Sequence, residues 1–115
     1  MPRDDLILVE DMLEEVRDAL EFVRGYDLDR FLTDRLTCKA VAYSLQVLGE
    51  AANHVSEALV EAHPDLPWRE MIDMRHRLVH GYRAVSFEIV WAVTKEELPE
   101  LDILLSDLAE ELGAS

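Results

Sequence analysis

The 115-residue chain contains one cysteine, four glycines, four prolines and only 7% aromatic residues. A lone cysteine, Cys38, excludes an intrachain disulfide and any cysteine-based metal site. So few glycines and prolines suit long helices joined by short links rather than the many turns of a β-sandwich. No apolar run approaches the roughly 20 residues that cross a bilayer. The longest, residues 89–93, has five. Residues 1–5 lack the basic start and apolar middle of a signal peptide, so a cytoplasmic protein with no membrane attachment is expected.

Positive charge is scarce as well. Eleven Lys and Arg stand against 25 Asp and Glu, a net charge of −14, which argues against a general polyanion binder. The imbalance is uneven: residues 1–30 carry −6, residues 31–66 carry −3 and residues 88–115 carry −7. Only residues 67–87 are net positive, at +2, with Arg69, Arg75, Arg77 and Arg83 against Glu70 and Asp73. Any anion the protein handles should meet it there.

Half of the residues are apolar, enough for a real core, and the length suits one domain spanning residues 1–115. Leu6, Val9, Leu13, Val16, Leu20 and Val23 recur at three- and four-residue steps and predict a helix over about residues 5–24, ended by Gly25. Asp27 can cap a short helix over about residues 28–32. A long helix is expected over about residues 34–61. Its stripe comprises Leu36, Ala40, Tyr43, Val47, Ala51, His54, Val55 and Ala58, with Leu45, Leu48 and Leu59 falling outside it. Tyr43 would then be core and His54 would line a core or an interface, and Gly49, Ala51 and Ala52 are small enough for a neighbouring helix to come close.

A turn at residues 63–67 leads to a helix over about residues 67–80, in which Trp68 packs. Gly81 should end it in a left-handed turn that throws Tyr82 out of the helical path and beside His80. Ser86 opens the last helical region, with Trp91 on its apolar side. A break is expected near residue 95, where Thr94 and Glu97 have capping-box spacing. The architecture expected is an all-α up-and-down bundle of about four long helices plus one short one.

One segment stands out: Met74-Arg75-His76-Arg77-Leu78-Val79-His80-Gly81-Tyr82. On a helix Arg75 and His80 lie about 140° apart and are not stacked on one face. The long Arg side chain can still converge with His80 on a shared ligand, above all where a second copy of the helix lies opposite. The pair suits phosphodiester cleavage without metal. Histidine can take a proton from a ribose 2′-hydroxyl or give one to the leaving oxygen. Arginine stays charged and grips phosphate bidentately. The same residues also suit a plainer role, pairing with the free carbonyls at a helix C-terminus. His76 and His80 have metal-ligand spacing as well, without a third ligand nearby in sequence.

Together with Leu48-Gly49-Glu50-Ala51-Ala52-Asn53, Pro67-Trp68-Arg69-Glu70-Met71-Ile72, Ile89-Val90-Trp91 and Glu97-Leu98-Pro99, this segment resembles the HepT-like branch of the HEPN proteins over about residues 34–105. The motif is an Arg, a polar residue, three more residues, then His-any-Tyr, met by Arg75, His76, His80 and Tyr82. His76 stands where Asn is more usual. The resemblance implies a helical, HEPN-like homodimer whose two motifs share a cleft. It implies a toxin, a metal-independent endoribonuclease that needs no cofactor, acts on RNA and leaves a cyclic phosphate. Arg75 and His80 would be catalytic, with His76, Arg77, Tyr82 and Arg83 supporting or binding RNA. The implied partner is a minimal nucleotidyltransferase antitoxin of the MntA type, which would transfer AMP to Tyr82. The competing expectation is a catalytically silent HEPN dimer that serves as a platform for that nucleotidyltransferase.

Overall fold

The computed structural model describes residues 2–114, and the side chains of all of them except Pro2, Arg3 and Tyr82. The described residues form α1 (Pro2–Phe22), α2 (Leu28–Thr33), α3 (Arg35–Ala52), α4 (Glu57–Ala62), α5 (Trp68–His80), a short 3-10 helix (Tyr82–Ala84), α6 (Phe87–Glu96) and α7 (Leu98–Gly113). The all-α bundle expected from composition is present, and among the described residues there is no strand. None of these helices is long and apolar enough to cross a membrane. Helix α3 is central, with α1 against one side and α5 against another, while α7 covers α1. Helix α5 packs mainly on α3 and the 3-10 helix, so much of its surface faces outward.

Local chemistry explains most boundaries. Gly25 takes a left-handed φ of 78° and ends the first turn region. The Asp27 carboxylate accepts from the Arg30 N–H at 2.8 Å, capping α2. Asp34 then caps α3, accepting from the N–H of Thr37. Its other oxygen accepts from the Tyr26 hydroxyl at 2.6 Å. The Tyr26 bond and the Thr37 bonds hold the Asp34 carboxyl below its ordinary range. Trp68 is buried, and its indole N–H donates to the His63 carbonyl at 2.9 Å, which fixes the turn leading into α5.

Three expectations are corrected. The first is the buried face of α3. Leu36 and Tyr43 are 79% and 64% exposed, whereas Leu45 and Leu48 are buried. Tyr43 is therefore not a core residue, and His54 is exposed too. Helix α3 is apolar around most of its circumference, so periodicity alone left its phase open. The packing of α1 and α5 selects the Val41–Leu45–Leu48 face.

Second, the predicted helix over residues 34–61 breaks after Ala52. No proline marks the break. Instead the buried Asp5 carboxylate accepts from both the backbone N–H of Ser56, at 2.9 Å, and its hydroxyl, at 2.6 Å. The Ser56 oxygen in turn accepts from the N–H of Leu59 and starts α4. A carboxylate 51 residues away sets this boundary.

Third, the break between α6 and α7 falls at Glu97, but without a capping box. Thr94 is fully buried and donates its hydroxyl to the Val90 carbonyl at 2.8 Å, and Glu97 makes no side-chain cap.

Helices α3 and α5 cross closely at Gly49. A Cβ built on Gly49 would collide with the Cβ of Arg75 and with the Met71 carbonyl oxygen. Backbone is on one side of that collision, so a rotamer change cannot relieve it. Gly49→Ala is therefore expected to destabilise the fold by about 1–3 kcal/mol, the usual cost of overpacking. For a domain of this size that lowers the melting temperature by roughly 4–20 °C. An unchanged melting curve would contradict the close approach.

Candidate functional site

The site forms where α5 leaves α3. Met71 and Leu78 are buried on one side of α5. Arg75 lies at the edge of that side, so its stem runs along Gly49. Its side chain is 24% exposed. The Arg75 Nε lies 2.9 Å from Oε1 of Glu50 on α3. Both atoms are buried, and the N–H is not aligned with the oxygen, so charge rather than an aligned hydrogen bond holds the pair.

The other Glu50 oxygen, Oε2, is 3.8 Å from Nδ1 of His54, and the same nitrogen lies 2.8 Å from the Glu50 carbonyl oxygen. A partly exposed ion pair of this kind adds at most about 1 kcal/mol to stability. Its consequence is orientation. With Nε against Glu50, the terminal nitrogens of the guanidinium are left over, a fork that could meet an anion.

His76 and His80 lie outside this contact, exposed on the last turns of α5. Their rings stack with centroids 5.9 Å apart and planes tilted by 22°. Among the described residues no hydrogen bond or ion pair joins Arg75 to His80. The two are brought to one end of α5 without touching. Arg77, exposed on the same end of α5, also lines an apolar cleft of about 270 Å³ among α3, α5, α6 and α7, with Leu45, Leu48, Met74, Ile89 and Val93. Arg83 is exposed in the 3-10 helix.

The expected left-handed stop at Gly81 is not formed. Gly81 has φ −113° and ψ 33°, and its N–H donates to the Arg77 carbonyl. The chain then tightens into the 3-10 helix, with Ala84 N–H donating to the Gly81 carbonyl at 2.8 Å. The backbone therefore continues near the helical path instead of being thrown out of it. The expected placement of the Tyr82 side chain beside His80 lies outside the described residues. Among those residues no group of three His, Cys, Asp or Glu side chains has the arrangement of a metal site.

Glu50 and His54 were missed as site residues. One signal was present. Glu50 is the only acid between Asp34 and Glu57, and with His54 it has i, i+4 spacing. Nothing local says that a helix 25 residues later will supply its arginine.

Comparison with known proteins identifies the family. The family model described as Ribonuclease HepT-like matches residues 12–108. The chain is 36% identical over 101 residues to the "Probable ribonuclease HepT" of Thermococcus cleftensis, covering 88% of this chain and 92% of that protein. It is 33% identical over 116 residues to a "Putative RNase" of Methanocaldococcus jannaschii, covering 96% of each. No solved structure matches the chain. On the family match and these identities together, the chain belongs to the HepT-like ribonuclease family of the HEPN superfamily.

Proposed function

We propose that the chain is the toxin of a toxin–antitoxin pair, a cytoplasmic endoribonuclease that cuts RNA without metal. The observation that carries the reading is the Glu50-held Arg75 beside an exposed His80 in the one net-basic segment of an acidic chain. His80 removes the proton of a ribose 2′-hydroxyl, the 2′-oxygen attacks phosphorus, and Arg75 offsets the charge that gathers on the non-bridging oxygens. The 5′-oxygen leaves, and the upstream fragment ends in a 2′,3′-cyclic phosphate.

The reading includes a homodimer. Leu36 and Tyr43 are exposed on the face of α3 that also carries Glu50, and Ile72 and Val79 are only half covered on α5. A second copy on this face would bury them and bring two Arg75–His80 sets together about a two-fold axis. Light scattering at micromolar concentration should then report twice the chain mass, whereas a monomer would contradict the assembly.

His80→Ala and Arg75→Ala should each lower RNA cleavage at least about a hundredfold, the scale of losing acid–base or electrostatic catalysis. Neither should unfold the chain. Cleavage should persist in EDTA. Activity abolished by chelation and restored by a divalent metal would overturn the mechanism, and a folded wild type that never cuts RNA would favour the silent platform, a reading consistent with the net charge of −14.

Control is assigned to Tyr82. A nucleotidyltransferase antitoxin would transfer AMP from ATP to its phenol, releasing pyrophosphate and placing new negative charge two residues from His80. Incubation with that enzyme and ATP should add mass in AMP units at Tyr82 and stop cleavage. Tyr82→Phe should stay active and escape this inhibition. If it is silenced as fully as the parent, modification is not the control.

A further inference from the structure

The four histidines divide into two pairs of different standing. His54 sits against Glu50, its Nδ1 at 2.8 Å from the Glu50 carbonyl oxygen. His63 sits against Glu111, its Nε2 at 3.3 Å from the carboxylate. Those two imidazoles are tied to acidic partners. His76 and His80 are different: both are exposed, they stack on each other, and among the described residues neither makes a hydrogen bond or ion pair with the chain. Two unengaged imidazoles side by side, next to a positioned arginine, form a cluster that the reaction as described above uses only by half.

We propose that His76 and His80 act as an acid–base pair on the same phosphodiester, His80 taking the proton of the 2′-hydroxyl and His76 delivering one to the leaving 5′-oxygen. The inference rests on the ribonuclease reading and assigns it a second proton-transfer residue. In-line attack places the entering 2′-oxygen and the leaving 5′-oxygen on opposite sides of phosphorus. The two proton-transfer nitrogens must each come within about 3 Å of their own oxygen, so their rings have to straddle the phosphate a few ångströms apart. Ring centroids 5.9 Å apart satisfy that requirement. On α5 the two rings are about 40° apart around the axis and about 6 Å apart along it. Arg75 points about 100° round the helix from His76, towards α3, and its long side chain would reach the non-bridging oxygens from that side.

The step balances. The O2′–H proton passes to His80, the O2′–P bond forms, the P–O5′ bond breaks with its electron pair going to O5′, and O5′ takes a proton from the His76 imidazolium. Exchange with water restores the starting protonation. The charged groups around the pair are Asp73 and Arg77 on α5, the Arg75–Glu50 pair with His54 on the α3 side, and Arg83 on the 3-10 helix.

The test is the pH dependence of RNA cleavage by the full chain and its variants, with a second substrate whose scissile 5′-oxygen is replaced by sulfur. A base must be neutral and an acid protonated, so the wild type should give a bell-shaped profile. His76→Asn should cut the rate about a hundredfold or more and remove the fall at high pH, leaving the fall at low pH. A sulfur leaving group departs without a proton. It should restore His76→Asn to near the wild-type rate on that substrate and leave His80→Asn impaired. If His80→Asn is inactive while His76→Asn keeps the wild-type rate and profile, the pair is overturned and the ribonuclease reading stands. If His76→Asn is slow but the sulfur substrate does not rescue it, His76 is not the acid and the pair is overturned. A wild type that cuts no RNA overturns both.

Discussion

The site depends on the absence of one carbon atom. Gly49 lets the backbone of α5 lie directly against α3, with no room for a Cβ between them and the stem of Arg75. Because α3 and α5 meet there, Arg75 emerges within 2.9 Å of Glu50. The arginine is thereby fixed by one carboxylate and left with its terminal nitrogens to spare. A wider crossing would return Arg75 to solvent as a mobile side chain, and a phosphate would have to order it at an entropic cost.

The same edge position accounts for the exposure of the histidines. Helix α5 is anchored along one side, where Met71 and Leu78 are buried, and the opposite side meets water. Basic residues gather at its C-terminal end, Arg77 and His80 in the last turn, where the helix dipole favours positive charge. In a chain of net charge −14, that end is where a polyanion meets the least repulsion. The acidic remainder disfavours non-specific nucleic-acid binding, so on the proposed function RNA would be held by a small number of contacts near the α5 terminus.

What could be read from residues alone follows a physical division. Features governed by neighbours within one turn were legible: the Asp27 cap, the Gly25 stop, the start of α6 at Ser86, and the placement of Arg75, His76 and His80 at one helix end. Features set by distant partners were not. The break after Ala52 comes from Asp5, and the buried face of α3 comes from α1 and α5 arriving on it. The backbone after His80 was misjudged for a local reason: a glycine permits a left-handed stop but does not require one, and here a 3-10 helix follows. Glu50 stood out only as the lone acid of its stretch, and its role was not legible because its partner is supplied by tertiary packing.

The central claim is that Glu50 acts in the site through Arg75. A double-mutant cycle on RNA cleavage with Glu50→Gln and Arg75→Ala measures this directly, because residues that work through one another give non-additive effects. Glu50→Gln alone should slow cleavage, and it should cause little or no further loss once Arg75 is alanine. Effects that multiply, so that Glu50→Gln costs as much without Arg75 as with it, would contradict the account.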